Sequence, residues 1–183
     1  AVGPATEAAA VATTGPLGAQ FLLWEYAVAV VGKLLRINPF DQPDVEAAKK
    51  AARALLDNPQ ALTTTEGPSA VIGPVEVYGP VGEAAKETLT EVLREFVDGV
   101  ADGGYIAVQA YLDRLDDASA TLLRSELARR TGKQATFGWG PRFLHSTGQY
   151  HKGGHPNGSF LQITGAVEED VPVPDRPYTL GKL

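Results

Sequence analysis

The sequence predicts an α/β protein, with a helical N-terminal part followed by a small βαβαβ-like part, and three observations carry that expectation. Two helical patterns follow one another near the N-terminus, from Ala19 to Leu35 and from about Pro43 to Leu56. From Val71 onward, apolar runs of strand length alternate with stretches of helical periodicity, the succession of a sheet layered with helices. Turn-forming residues punctuate the changes at Asn58-Pro59, Asp102-Gly-Gly104 and Gly132.

The elements follow in order. Residues 1–17 are rich in Ala, Thr and Gly and only weakly patterned. The first helix, from about Gly18 to Arg36, is apolar on nearly all sides, with Glu25 its one acid, so burial on nearly all sides is expected. A turn at Asn38-Pro39 leads to the second helix. Its first turn is acidic (Asp41, Asp44, Glu46) and its later turns basic (Lys49, Lys50, Arg53), the order the helix dipole favours. A polar connection at 57–69 marks a soft boundary. Val71 to Tyr78 reads as a strand broken by Gly73-Pro74, and Val81 to Val100 as one amphipathic helix. On its apolar face stand Val81, Ala85, Leu89, Val92, Phe96 and Val100. Tyr105 to Leu112 is a strand, Ala118 to Arg130 a helix, and Gln134 to Phe137 and Ser159 to Thr164 two further strands.

Bulk properties exclude several function classes. The chain of 183 residues is 44% hydrophobic and 21% charged, the balance of a globular protein with a core. A net charge of -6 without a basic cluster argues against a nucleic-acid partner. The absence of cysteine removes disulfides and thiolate metal sites and fits a reducing compartment. Ala8 to Trp24 carries no charge, but Gly15, Pro16 and Gly18 interrupt it and Glu25 follows, so neither a membrane span nor a signal segment is expected. The first residue is not Met and the last six, Tyr178 to Leu183, form no closing element, so the expectation is a segment of a longer polypeptide.

Two stretches concentrate chemistry. In the first, Gln42 and Lys49 lie seven residues apart, about two helical turns, and so project from one face at a helix beginning. Such a pair presents an amide and an ammonium to a polyhydroxylated ligand. The plainer reading is a capping Gln before a helix-starting Pro and a Lys facing water. The second stretch, Gly140 to Gly158, holds all three histidines, His145, His151 and His155, in one Gly-rich loop. Arg142 and Lys152 supply charge there, and Ser146, Thr147 and glycine amides supply donors for an anion or sugar. Gln149 and His151 complete the candidate ligand-binding set. A metal site built on the three histidines has spacings that match no standard zinc pattern. In a third reading the loop is structural, its Gly and Pro setting turns.

Leu34-Leu-Arg-Ile-Asn-Pro-Phe-Asp-Gln-Pro-Asp-Val-Glu46, followed by Lys49, resembles the C-terminal signature of phosphoglucose isomerases, and Gln20-Phe-Leu-Leu-Trp-Glu-Tyr26 fits the helix that precedes it in that family. The second stretch resembles one found in fused transaldolase/phosphoglucose isomerase proteins and their relatives. One departure stands out: the commoner signature has Gly where this chain has Asp44. The resemblance implies a layered sheet of the sugar-isomerase (SIS) type, with 1–65 the helical end of that domain and 66–183 an appended α/β subdomain. It implies interconversion of glucose 6-phosphate and fructose 6-phosphate, with Gln42 contacting the sugar and Lys49, beside the ring oxygen and C1 hydroxyl, assisting ring opening. It further implies a sugar phosphate as substrate, no cofactor, a homodimer in the cytoplasm, and the rest of the isomerase chain as partner.

The isomerisation needs a base to move a proton between C1 and C2 as well as a ring-opening group. In the family that base is a Glu in an upstream motif. Glu7 stands in an Ala-rich stretch and Glu25 inside an apolar helix, so the expectation is that this chain lacks the base. The alternatives are a non-catalytic sugar-phosphate-binding or structural module, and part of a transaldolase/isomerase fusion.

Overall fold

The computed structural model describes residues 12–41, 43–58, 67–140 and 148–181. The chain divides into two compact units, Ala1–Asp41 and Gln42–Leu183.

The first unit is built on helix α1, Leu17–Leu35. Its end is a Schellman motif: Arg36 adopts the left-handed conformation (φ 58°), its N–H reaches the Lys33 carbonyl, and the Ile37 N–H reaches the Gly32 carbonyl. Pro39 then lies back on the helix so closely that a Cβ on Gly32 would stand 2.8 Å from its ring. Asn38 holds the turn by accepting the Phe40 N–H on Oδ1 at 3.1 Å. Asn38 and Pro39 of the first motif are therefore architectural. The expected burial of α1 is not met: Gln20 and Gly32 are its buried residues, while Phe21 and Leu34 are 62% and 75% exposed. It is the one helix among the described residues long and apolar enough to cross a membrane, at 19 residues and mean hydropathy 1.2.

The second unit is mixed α/β. Helix α2 spans Pro43–Asp57 and buries Val45. The stretch expected as one interrupted strand is a hairpin, β1 (Ala70–Ile72) and β2 (Val75–Val77), because Gly73 at φ 59° opens a two-residue turn. The helix expected over Val81 to Val100 is shorter. A 3-10 turn at Glu83–Ala85 precedes α3, Leu89–Asp98, whose N-cap Thr88 accepts the Glu91 N–H at 3.2 Å. A Thr in extended backbone with its hydroxyl on the first turn starts a helix rather than continuing one. The turn stays tied to α3 because the Glu95 carboxylate accepts the Gly82 N–H at 3.0 Å.

Strand β3 (Tyr105–Tyr111) is the centre of a three-stranded parallel sheet in the order β4-β3-β5, with β4 at Gln134–Trp139 and β5 at Gly158–Thr164. Between β3 and β4 runs α4, Leu122–Thr131, entered through a 3-10 turn at Ala118–Thr121 and closed by Gly132 at φ 67°. Ile106 and Val108 point to one face and form the core with Val100, under Phe96 of α3 and Leu123 and Leu127 of α4. Tyr105 and Phe160 mark the other face. On it sits α5, Gln149–Gly153, a short helix in the stretch expected as loop, with His151 stacked on Tyr105 and Tyr150 tilted against the same ring. Helix α5 in turn packs on α2.

Candidate functional site

The structure brings the two chemistry-bearing stretches together. The first turn of α2 leaves backbone N–H groups without partners inside the helix. One of them, the Val45 N–H, is accepted by Gln149 Oε1 at 3.1 Å, from a residue 104 positions away. The other end of the same amide, Gln149 Nε2, donates to the Asp44 carboxylate. A Cβ on Gly153, one turn along α5, would overlap that carboxyl, so only glycine permits this approach.

Lys49 lies two turns into α2 and its Nζ stands 2.6 Å from Glu46 Oε1, one turn back. The hydrogen bond and charge of Lys49 hold the exposed Glu46 carboxyl below its ordinary range. Lys152, on α5, is held below the ordinary lysine value by partial burial and then by the positive charge of Lys49. Each motif therefore contributes an ammonium group to the same region.

His151 faces the sheet. Its Nδ1 is 2.7 Å from the Tyr105 hydroxyl, its ring stacks on Tyr105 at 5.4 Å between centroids, and Phe160 meets it edge-on at 5.6 Å. Burial lowers the His151 pKa from 6.5, with Lys152 adding to the effect. Burial also raises the Tyr105 hydroxyl, Tyr150 adding to it. The pair is thus a neutral imidazole hydrogen-bonded to a neutral phenol at neutral pH, a ring pinned in place.

Part of the second motif is architectural. Asn157 donates through Nδ2 to the Gly103 carbonyl at 3.1 Å, and its own carbonyl accepts the Tyr105 N–H at 3.2 Å. A Cβ on Gly158 would stand 2.7 Å from the Tyr105 ring. Among the described residues no three His, Cys, Asp or Glu side chains gather to hold a metal. Gln42, Arg142, His145, Ser146 and Thr147 lie outside the described residues. A separate open crevice of about 520 Å³ lies past the carboxyl ends of β3 and β4, lined by Tyr111, Asp113, Arg114, Trp139 and Gly140 among others.

Sequence reasoning missed Tyr105, Gly153 and the tie from Gln149 to α2. The available signal was the Gly153-Gly154 pair after a single helical turn, which marks close backbone approach as readily as a flexible loop.

Comparison with known proteins points to one class, the isomerases. A glucose-6-phosphate isomerase of Parasynechococcus marenigrum (strain WH8102) is 36% identical over 91 residues, 50% of this chain and 16% of the relative. That of Synechococcus sp. (strain CC9902) is 52% identical over 46 residues, 25% of this chain and 9% of the relative. That of Exiguobacterium sibiricum is 56% identical over 43 residues, 24% of this chain and 10% of the relative. The chain thus spans 16% or less of the length of these three relatives. No protein-family model matches the chain. No solved structure matches it either.

Proposed function

We propose that this chain is the C-terminal part of a glucose-6-phosphate isomerase, of the type found in transaldolase/isomerase fusions, and that it contributes Gln42 and Lys49 to the active site. The observation that carries the reading is the docking of α5 on the first turn of α2, which joins the two motifs that sequence alone left 104 residues apart. The similarity to enzymes of that name over half of this chain supports it.

In this reading the Lys49 ammonium delivers a proton to the ring oxygen as the C1–O bond of the hemiacetal breaks, and the amine so formed takes up the proton of the C1 hydroxyl, leaving the open-chain aldehyde and Lys49 recharged. A base outside this chain then moves the proton from C2 to C1 through an enediol. Gln42 holds sugar hydroxyls, and the second motif, with Arg142, His145, Ser146, Thr147, His151 and Lys152, borders the polar end of the ligand. The exposed apolar sides of α1 are covered by the rest of a cytoplasmic, homodimeric isomerase, where an all-round apolar helix belongs. Neither a cofactor nor a metal takes part.

The test is Lys49→Ala in the whole protein that carries this chain. Turnover of glucose 6-phosphate is expected to fall roughly 100-fold or more, and turnover of an open-chain analogue far less. Equal losses on both would overturn the ring-opening role. Isomerase turnover by residues 1–183 alone would overturn the division of the active site.

A further inference from the structure

We infer that Gln149 is a positioning residue for Lys49, a clamp that reaches from the second motif to set the axial position and rotation of the helix carrying it. The inference rests on the ring-opening reading of Lys49 and adds how that lysine is held.

Three observations converge on the clamp. Both ends of one amide are used on consecutive residues of α2: Oε1 accepts the Val45 N–H at 3.1 Å and Nε2 donates to Asp44. An acceptor and a donor fixed on neighbouring residues define a direction as well as a distance, so the helix can neither slide nor turn without breaking one bond. Val45 is 1% exposed, so its N–H has no water to fall back on and needs this partner. Gly153 brings α5 flush against the Asp44 carboxyl, where any side chain would force the helices apart.

The anchor of α5 lies on the other side. His151 is bonded to Tyr105 at 2.7 Å and packed against Phe160, and both belong to strands of the parallel sheet. A chain of contacts therefore runs from the sheet through α5 to the first turn of α2. Lys49 stands about one turn further on. A misplacement on the order of 1 Å in a reacting group lowers rate by roughly 100-fold, so a clamp at this point acts on kcat.

Asp44 gives the clamp its second half. A glycine at that position, the commoner choice in the signature this stretch resembles, has no carboxylate for Gln149 Nε2. The Asp44, Gln149 and Gly153 set is then a matched group in which each residue type suits the other two.

The experiment uses the whole protein and four variants. Gln149→Ala is expected to lower kcat on glucose 6-phosphate roughly 10- to 100-fold with KM changed less than about twofold, and to leave an open-chain analogue within about threefold of the parent. Gln149→Glu keeps an acceptor for Val45 but sets two carboxylates together, so it is also slow. Adding Asp44→Gly to Gln149→Glu removes that repulsion but leaves only the Val45 half of the clamp, so kcat is expected to recover in part, above Gln149→Glu and below the parent. Exchange of the Val45 amide, followed by NMR on protein labelled at valine, is expected to speed about tenfold or more in Gln149→Ala. Unchanged Val45 exchange, or equal losses on the closed and open substrates, overturns the clamp. If Lys49→Ala, the fourth variant, shows no preference for the closed ring, the reading of Lys49 fails and the inference with it. If Lys49→Ala shows that preference and Gln149→Ala does not, the inference alone fails.

Discussion

Asp44 and Gly153 occupy one space: the Asp44 carboxyl lies where a Cβ on Gly153 would have to go. Replacing a helical Gly by Ala ordinarily stabilises by about 0.4–1 kcal/mol through the unfolded chain. Here the sign reverses. Gly153 is not at positive φ, so the obstacle is steric and comes from a short side chain itself bonded to Gln149. Gly153→Ala is expected to destabilise by about 1–3 kcal/mol, and Asp44→Gly in the same chain to recover most of it. Urea unfolding of the four proteins in that cycle measures the coupling, and strictly additive effects would show that the two residues do not share the space.

The imidazole on the sheet sets a pH dependence. Burial lowers the folded pKa of His151 below 6.5, so the unfolded chain binds more protons between those two values. The stability this residue contributes is therefore complete above the unfolded pKa and is lost as pH falls through the folded one. The groups around it are Tyr105 and Lys152, with Phe160 at its edge. Thermal melting of wild type should decline as pH is lowered from about 7 to about 5, and His151→Asn should flatten that decline. Tyr105→Phe removes the hydroxyl bonded to Nδ1 and should cost about 1 kcal/mol at neutral pH.

Helix α3 depends on its N-cap residue. Thr88→Ala removes the acceptor of the Glu91 N–H and should cost about 1 kcal/mol, whereas Thr88→Ser should be nearly neutral. If Ala and Ser behave alike in denaturant melts, the hydroxyl is not the cap.

The centre of the parallel sheet is the stability reserve of the second unit. Ile106 is fully buried beneath α3 and α4. Ile106→Val is expected to cost about 0.5–1.5 kcal/mol and Ile106→Ala about 2–5 kcal/mol. Equilibrium unfolding followed by the signal of Trp139, on the neighbouring strand, tests both.

Much of this architecture is legible in the residue pattern where the period is unambiguous. The apolar run of β3, the helix after Pro43 and the glycine that closes α4 lie where their sequence signals place them. The mismatches have local causes. Over Val81 to Val100 the apolar face is continuous, so periodicity joins two segments that the Thr88 cap separates. Pattern also reads α1 as an enclosed helix, whereas Phe21 and Leu34 on it are exposed. The candidate site was legible only as two separate lists of reactive residues. Their junction hangs on Gln149, whose partners are 104 and 105 positions away, and no local spacing rule reports a pairing at that distance.

That same separation imposes an order of events during synthesis. The first turn of α2 leaves the ribosome long before its capping amide exists, and 104 residues must follow before Gln149 can reach Val45. Strand β5, which closes the other edge of the sheet, is later still. The helix bearing Lys49 is therefore among the first parts of the second unit to be made and among the last to be secured. Drugs or pauses that stall elongation before residue 149 should yield nascent chains that already contain Lys49 but leave the amide of Val45 open to solvent exchange.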